Sequence, residues 1–294
     1  MDNETLCGNE YDFGRVKLIA TDMDGTFITT GARIPEENRR AARICDESGV
    51  TFVIASGRSY RSLGDFIGVE GKNGYIIAHN GARIATAGAE KELYRMPLSM
   101  EDAKFLLDLG NRLRVTACVW ADEDLYISRR TRNGEIYAQA ALAKTVYFDA
   151  EDPFFLRDIG DNRSNIDKIY WTANEDGTGW KSNEVAKMIP KTLSCFTSGG
   201  GCMEFVDRNV SKGAALKKLC DIIGIDPRDT VAFGDSENDI SLLEASGFGV
   251  AMENADIRVK AAAKYITKTN NDCGVASAIE EFFGSRQLRK DYGL

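Results

Sequence analysis

The chain has 294 residues, which is too long for one small domain and about right for two domains of modest size. Hydrophobic side chains make up 43% and charged side chains 28%, a composition typical of folded globular proteins, so intrinsic disorder is excluded. The formal charge of −8, from 37 basic and 45 acidic side chains, argues against a nucleic-acid-binding protein, because such a protein needs a basic surface to neutralise phosphates.

The first part of the chain predicts a strand, a helix and a second strand joined by short connections. Residues 16–20 form a short apolar run typical of a buried parallel strand, and Asp22-Met23-Asp24-Gly25 follows it. A helix is predicted to begin near Pro35. The next apolar run, residues 50–55, ends at Ser56-Gly57-Arg58, so the segment matches a right-handed βαβ unit.

Residues 75–78 predict a third strand, which leads into His79-Asn80-Gly81-Ala82. Beyond Ala82, strands and helices mix without strict alternation, which favours an inserted α+β domain with an antiparallel sheet over residues 83–207. The strands predicted in this insert span residues 83–86, 92–96, 115–120, 125–127, 168–172, 192–197 and 203–206. The helices predicted in it span residues 99–109, 133–143 and 180–189.

From Ser211 the alternating pattern returns. Ser211 is a good N-cap for a helix that ends near Gly224, and the apolar run 230–233 leads directly into Gly234-Asp235-Ser236-Glu237-Asn238-Asp239. The remaining predicted elements are helices over 240–245, 256–264 and 275–283 and strands over 249–252 and 265–267. We therefore predict an α/β fold: a Rossmann-like, mostly parallel sheet core formed by residues 1–82 and 208–294, with an α+β cap domain inserted between them.

The cysteines indicate neither a zinc site nor a disulfide framework. There are seven, widely spaced, and no two have C-x-x-C spacing, so reduced thiols in a cytoplasm fit best. Residues 1–12 are acidic and lack the apolar segment of a signal peptide, and no apolar run is long enough to span a bilayer. We expect a cytoplasmic protein with no membrane partner.

Acidic residues follow two of the predicted strands, and a serine follows a third. If these strands are parallel neighbours, their carboxyl ends meet at one edge of the sheet, where ligands bind in open α/β folds. The acids Asp22, Asp24, Asp235 and Asp239 would then crowd one crevice. Because like charges at such distances repel by several kcal/mol, a divalent cation with oxygen ligands is expected, and Mg²⁺ suits carboxylates that leave room for water and a phosphate oxygen.

Lys212 is predicted in the first turn of its helix, beside free backbone N–H groups, where anions bind. A metal ion, a lysine and a nucleophilic carboxylate together indicate phosphoryl transfer.

Simpler structural explanations stay open for several of these residues. The Asp22 loop alone could be a polar turn, Asp239 an acid that favours a helix dipole, and Lys212 an ordinary surface lysine. Arg58 and Asn80 fit a structural or a substrate-facing role equally well. We expect His79, the one histidine of the chain, to be structural, and the tryptophans to pack in the core of the cap: Trp120, Trp171 and Trp180.

The sequence resembles the phosphatases of the haloacid dehalogenase superfamily, in the Cof-type branch whose large C2-type cap is inserted late in the chain. Four motifs stand in the family's order: Asp22-Met23-Asp24-Gly25-Thr26, Ser56-Gly57-Arg58, Lys212-Gly213 and Gly234-Asp235-Ser236-Glu237-Asn238-Asp239. Asn80-Gly81-Ala82 and Gly274-Val275-Ala276 also match, so the resemblance covers nearly the whole chain. Ser56 stands where the family often has threonine, a change that keeps the hydroxyl.

The resemblance implies a role for each motif residue. Asp22 would attack phosphorus and become an aspartyl phosphate, and Asp24 would serve as general acid and base. Mg²⁺ would be held by Asp22, by the backbone carbonyl of Asp24, and by Asp235 with Asp239. The phosphoryl oxygens would be bound by Ser56, Gly57 and Lys212, and possible substrate contacts are Arg58, Asn80 and Asn238.

The family also implies that the cap selects the leaving group, with sugar phosphates as the first expected substrates and nucleotide or cofactor phosphates next. The expected partner is therefore a small phosphorylated metabolite, bound by a monomer or small homo-oligomer. Two other functions stay open, a phosphomutase that uses the same phosphorylated aspartate and a non-catalytic protein that binds phosphorylated metabolites.

Overall fold

The computed structural model describes residues 11–63, 74–89, 91–148, 165–172, 182–198 and 201–283. The predictions that concern residues 1–10 and Trp180 lie outside these ranges. Within them, no helix combines the length and the apolar character needed to cross a bilayer.

The described residues form two β-sheets with helices packed against them. The strands, in chain order, are β1 (Leu18–Thr21), β2 (Thr51–Ala55), β3 (Tyr75–Ala78), β4 (Arg83–Thr86), β5 (Glu92–Arg95), β6 (Ala117–Ala121), β7 (Asp124–Ile127), β8 (Thr145–Tyr147), β9 (Ile166–Trp171), β10 (Leu193–Ser198), β11 (Cys202–Asp207), β12 (Thr230–Gly234), β13 (Phe248–Ala251) and β14 (Tyr265–Ile266). The helices are α1 (Glu36–Glu47), α2 (Tyr60–Leu63), α3 (Met100–Arg112), α4 (Arg132–Ala141), α5 (Ser182–Val185), α6 (Lys212–Ile223), α7 (Ile240–Ala245), α8 (Ile257–Ala262) and α9 (Gly274–Phe283).

The first sheet has the strand order β14-β13-β12-β1-β2-β3-β4-β5. From β14 to β3 neighbouring strands are parallel, and β4 and β5 extend the sheet as an antiparallel hairpin. Thr21, the last residue of β1, lies opposite Phe233 of β12 and Ile54 of β2. The carboxyl ends of these three strands therefore meet at one edge, as predicted from the sequence.

Helices cover both faces of the first sheet, because successive side chains of a strand point to opposite faces. In β1, Ile19 packs into the cluster that contains α1 and α9, whereas Leu18 and Ala20 pack with α6 and α7. The near-continuous apolar sequence of β1 is thus buried on both faces. This two-sided burial makes the sheet a rigid support for the loops at its carboxyl edge.

The second sheet has the order β10-β11-β9-β6-β7-β8 and is antiparallel except for the parallel pair of β7 and β8. One face packs against α3 through a cluster that includes Leu106, Trp171 and Phe205. The opposite face carries Cys118 and Trp120 toward α4. Trp171 is buried in this cluster, and the expectation that it packs in an apolar core is confirmed.

The structure also differs from the prediction in several elements. The short elements α2 and β8 were not predicted, because runs of three or four residues carry little periodicity. The helix predicted over 180–189 is too long, because of its described residues, 182–189, only Ser182–Val185 are helical. The hairpin of β4 and β5 belongs to the first sheet, although its residues lie in the segment 83–207 predicted as the cap. The division of the chain into a core and a cap domain stays a prediction.

Candidate active site

Three carboxylates come together where β1 and β12 end. Asp22 directly follows β1, and its backbone N–H donates to the carbonyl of Phe233 on β12, 2.9 Å away. Asp235 directly follows β12, and Asp239 lies in the turn after it. One carboxylate oxygen from each of the three acids lies within 4.8 Å of the others. The predicted gathering of acids at this edge is therefore present in the fold.

Lys212 is a buried part of this cluster and not a surface lysine. It is the first residue of α6, whose N-cap Ser211 accepts a hydrogen bond from the N–H of Ala214 at 3.0 Å. Its side chain is 1% exposed, and its Nζ lies 2.5 Å from Asp22 Oδ1 and 2.6 Å from Asp239 Oδ1. Burial alone lowers the pKa of Lys212, but the two carboxylates outweigh this effect and raise it above its ordinary value. The lysine therefore stays charged.

Hydrogen bonds fix the other acids in the loop after β12. Asp239 is fully buried, and its Oδ2 accepts the backbone N–H groups of Asp235 at 3.0 Å and Ser236 at 2.9 Å. Its other oxygen is thereby presented to the lysine. Asp235 accepts hydrogen bonds from the hydroxyl of Thr26 at 2.6 Å and from that of Ser236 at 3.1 Å. Asp239 therefore joins the loop after β12 to Lys212, and favouring a helix dipole is not its only role.

The electrostatics of the cluster leave an excess of negative charge. Burial raises the pKa of Asp22 well above its usual range, Asp239 raises it further, and Lys212 opposes the shift. The pKa of Asp235 is also raised, first by burial, although hydrogen bonds from Thr26 oppose the shift. Three carboxylates around one ammonium favour an added cation, and an all-oxygen donor set suits a hard divalent ion such as Mg²⁺.

Gly25 allows the loop after β1 to turn tightly against the loop after β12. Its φ angle is +83°, in the left-handed region that favours glycine. A Cβ at this position would lie 2.5 Å from Asp235 Oδ2. A side chain here would therefore push the Asp235 carboxylate out of the cluster.

Asp24 and Arg58 form an ion pair at the mouth of the cluster. The side chain of Asp24 is 49% exposed, and the guanidinium of Arg58 donates to both of its oxygens, at 2.8 Å from Nε and 2.6 Å from Nη2. The backbone N–H of Arg58 also donates to Ser56 Oγ at 3.2 Å. A reachable carboxylate with a fixed orientation can exchange protons with a bound molecule.

A cavity of about 580 Å³ lies between this edge of the first sheet and the second sheet. Its volume falls in the range of ligand pockets. The loops after β1, β2 and β12, the short helix α2, the second sheet and α4 contribute to its lining, which comprises Asp22, Asp24, Gly57, Arg58, Ser59, Ser62, Trp120, Tyr137, Ala140, Ala141, Lys168, Phe196, Thr197, Glu204, Ser236, Glu237 and Asn238. The cavity therefore reaches the predicted nucleophile, whereas Lys212 and Asp239 lie behind it.

The structure shows where five other residues singled out in the sequence lie. Arg58 and Asn238 line it, and Asn80 lies beside it, where its Oδ1 accepts from Asn238 Nδ2 at 2.9 Å. Trp120 is buried, as expected, but also lines the cavity. His79 is fully buried, with its Nε2 3.9 Å from Glu123 Oε1.

Two charged residues of the cavity were missed in the sequence. Lys168 lies in β9, directly after Asp167, and Glu204 lies in β11 between Met203 and Phe205. Charges inside predicted strands are the signal that could have identified them, because charged side chains are seldom buried without a specific partner.

Comparisons with known proteins agree with this geometry. The sequence pattern of the haloacid dehalogenase-like hydrolases matches residues 19–279. A 5-amino-6-(5-phospho-D-ribitylamino)uracil phosphatase of Bacillus subtilis is 30% identical, over 91% of this chain and 96% of its own, and an HMP-PP phosphatase of Yersinia pseudotuberculosis is 28% identical, over 81% and 84%. A haloacid dehalogenase-like hydrolase from Bacteroides thetaiotaomicron has a similar crystal structure, with a TM-score of 0.77, 26% identity, and coverage of 91% of this chain and 100% of its own.

Proposed function

Because this chain belongs to the haloacid dehalogenase-like hydrolase family and is a phosphatase, we propose a more specific reaction for it. It hydrolyses phosphate monoesters of small metabolites with the help of Mg²⁺. The reaction passes through a phosphorylated Asp22. One observation carries the proposal: Asp22 is reached from the cavity on one side and held on the other by Lys212 and the acid cluster. The same proposal places the enzyme in the cytoplasm.

Asp22 and Asp24 divide the chemistry between them. An oxygen of Asp22 attacks phosphorus, the bond from phosphorus to the leaving oxygen breaks, and protonated Asp24 gives its proton to that oxygen. In the second step Asp24 takes a proton from water, the water oxygen attacks phosphorus, and the bond to Asp22 breaks. Asp24 suits this exchange because its carboxylate is half exposed and faces the cavity.

Lys212 and the motif after β2 act on the phosphoryl oxygens. The ammonium of Lys212 stabilises the negative charge next to Asp22, and in a buried site this attraction is little screened by water. Ser56 and the backbone of Gly57, at the end of β2, offer hydrogen-bond donors on the neighbouring side. Lys212 and Ser56 are each 1% exposed; Lys212 contacts Asp22 and Ser56 precedes Gly57, and both Asp22 and Gly57 line the cavity.

The acid cluster is the proposed magnesium site. Its members Asp22, Asp235 and Asp239, with the carbonyl of Asp24, would hold the ion, and the close approach of three carboxylate oxygens supports this assignment. When bound, the ion neutralises charge on the phosphoryl group and the acids around it.

The shape of the cavity bears on the substrate. The order of candidates from the family is sugar phosphates first, then nucleotide or cofactor phosphates. The cavity is lined by the aromatic side chains of Trp120, Tyr137 and Phe196. Because aromatic side chains pack well against flat rings, this lining supports phosphate esters of planar-ring compounds as further candidate substrates. The uracil phosphatase among the relatives is named for a phosphorylated substrate that contains a planar uracil ring.

A screen of phosphorylated metabolites tests the proposal. The purified protein is assayed for orthophosphate release from sugar, nucleotide and cofactor phosphates, with Mg²⁺ and with a chelator, beside the Asp22→Asn variant. Asp108→Asn serves as the matched control, because Asp108 is exposed and pairs with Lys104 on the surface of α3. We expect release that needs Mg²⁺ and Asp22 but not Asp108.

Three results would contradict the proposal. Activity that persists in Asp22→Asn would remove Asp22 from the reaction, and a phosphorylated isomer in place of orthophosphate would identify a mutase. Binding of phosphorylated compounds without turnover of any of them would favour the non-catalytic alternative.

A further inference from the structure

An ion pair on the second sheet, with Lys168 buried and Glu204 partly buried, faces the cavity. Lys168 of β9 is 3% exposed, and its Nζ lies 2.8 Å from Glu204 Oε2 of β11. A buried pair of this kind adds little to stability, because removing two charges from water costs about as much as their attraction returns. Stability therefore does not account for the pair, and its contacts suggest another role.

The pair contacts the first sheet at two of its catalytic loops. Lys168 Nζ donates to the carbonyl oxygen of Gly57 at 2.6 Å. Glu204 Oε2 accepts from Asn80 Nδ2 at 2.7 Å, and Asn80 in turn accepts from Asn238 in the loop that carries the metal-site acids. The second sheet thus reaches the loop after β2 directly and the loop after β12 through Asn80.

The contact with Gly57 bears on the hydroxyl of Ser56. The carbonyl of Gly57 and the N–H of Arg58 belong to one peptide group, and that N–H donates to Ser56 Oγ at 3.2 Å. Because the hydroxyl oxygen accepts this bond, its single proton is left to donate elsewhere. The charge of Lys168 fixes the plane of the peptide and, by polarising it, strengthens the N–H as a donor.

We propose that Lys168 is a positioning residue, which orients the hydroxyl of Ser56 toward the phosphoryl group through the peptide between Gly57 and Arg58. Glu204 holds the ammonium in place and ties it to Asn80. The second sheet therefore contributes to the phosphoryl site itself, besides lining the space for the leaving group. This inference rests on the proposed function, because the target of Ser56 is the phosphoryl group.

A double-mutant cycle between Lys168 and Ser56 tests this inference. Hydrolysis of p-nitrophenyl phosphate with Mg²⁺ is measured for Lys168→Met, for Ser56→Ala and for the two combined. Lys144→Met is the matched control, since Lys144 directly precedes β8 of the same sheet, is 68% exposed and lies outside the cavity.

We expect Lys168→Met to lower kcat about tenfold to a hundredfold with little change in KM, the range for a hydrogen bond from a charged group. In the Ser56→Ala background the same change should lower kcat by less than about twofold, because its target is gone. Equal loss in both backgrounds, a change in KM alone, or no loss beyond that of Lys144→Met would overturn the inference.

A second variant removes both charges, because Lys168→Met leaves the partly buried Glu204 without the cation it pairs with. Lys168→Met combined with Glu204→Gln keeps the volume of the pair, and we expect it to melt near the wild-type temperature and to lose kcat as Lys168→Met does. Wild-type kcat in this variant would overturn the inference. Lys168→Arg, which can donate to the same carbonyl, should restore part of the rate, and no restoration would contradict the assigned contact.

Orthophosphate binding separates this inference from the proposed function. Isothermal titration calorimetry with inorganic phosphate and Mg²⁺ needs no turnover, so a protein that fails to hydrolyse any ester still reports on Lys168. About tenfold weaker phosphate binding by Lys168→Met supports the inference, whereas unchanged binding, or no binding by the wild type, refutes it.

Discussion

Replacing Lys212 with methionine should destabilise the folded protein strongly, because the lysine is the one positive side chain in contact with Asp22 and Asp239 among the described residues. Its Nζ lies 2.5 Å and 2.6 Å from their oxygens, and all three side chains are buried. Methionine fills a similar volume, so the main effect is that two carboxylates remain without their cation. Breaking a buried pair in this way costs about 3–5 kcal/mol.

Thermal and urea unfolding measure this loss. A decrease of that size corresponds to a fall in Tm of roughly 6–20 °C for a domain of this size. Lys217→Met is the control, because Lys217 lies on the same helix and is exposed. Asp239→Asn in the Lys212→Met background should restore part of the stability, since it removes one of the two stranded charges.

Stability equal to that of Lys217→Met would refute the reasoning, because it would mean that the two acids do not depend on Lys212. A double variant less stable than Lys212→Met would show that the hydrogen bonds of Asp239 outweigh its charge.

Three further predictions follow from the same structure. Asp235→Asn should raise the Mg²⁺ concentration needed for half-maximal phosphatase activity, measured by titrating the metal, because one anionic ligand of the proposed site is lost. Gly25→Ala should lower both Tm and activity, since the added Cβ meets the carboxylate of Asp235 at a positive φ. Lys17 and Arg15 lower the pKa of Asp229, so its contribution to stability is present above the ordinary Asp pKa and disappears as pH falls through the lowered value. Urea unfolding should therefore find Asp229→Asn less stable than the wild type at neutral pH, with the difference vanishing in acid; a difference independent of pH would contradict this assignment.

The catalytic edge of the first sheet could be predicted from the sequence because each signal is local. An apolar run predicts each buried strand, and the polar residue that follows it, Asp22, Ser56 or Asp235, marks the carboxyl end of that strand. Parallel strands then bring these ends together, and the structure confirms their adjacency. The burial of Lys212 could not be derived in this way, since a lysine in the first turn of a helix is exposed or buried according to what packs over it.

The contribution of the second sheet could not be predicted for a different reason. Lys168 and Glu204 meet only because β9 and β11 are neighbours, and their contact with Gly57 depends on how the second sheet lies over the first. Neither relation leaves a periodic signal in the sequence. The position of β4 and β5 in the first sheet could not be predicted either, because a hairpin between two sheets can extend either of them.

The phosphorylation of Asp22 is the central claim, and rapid-quench mass spectrometry tests it most directly. The protein is mixed with a substrate found in the screen and Mg²⁺, quenched in acid during turnover, and digested for peptide mapping. We predict that the peptide containing Asp22 gains the mass of one phosphoryl group, and that the Asp22→Asn variant gains none. Turnover with this peptide unmodified at every quench time, or with the phosphoryl group on another residue, would contradict the account.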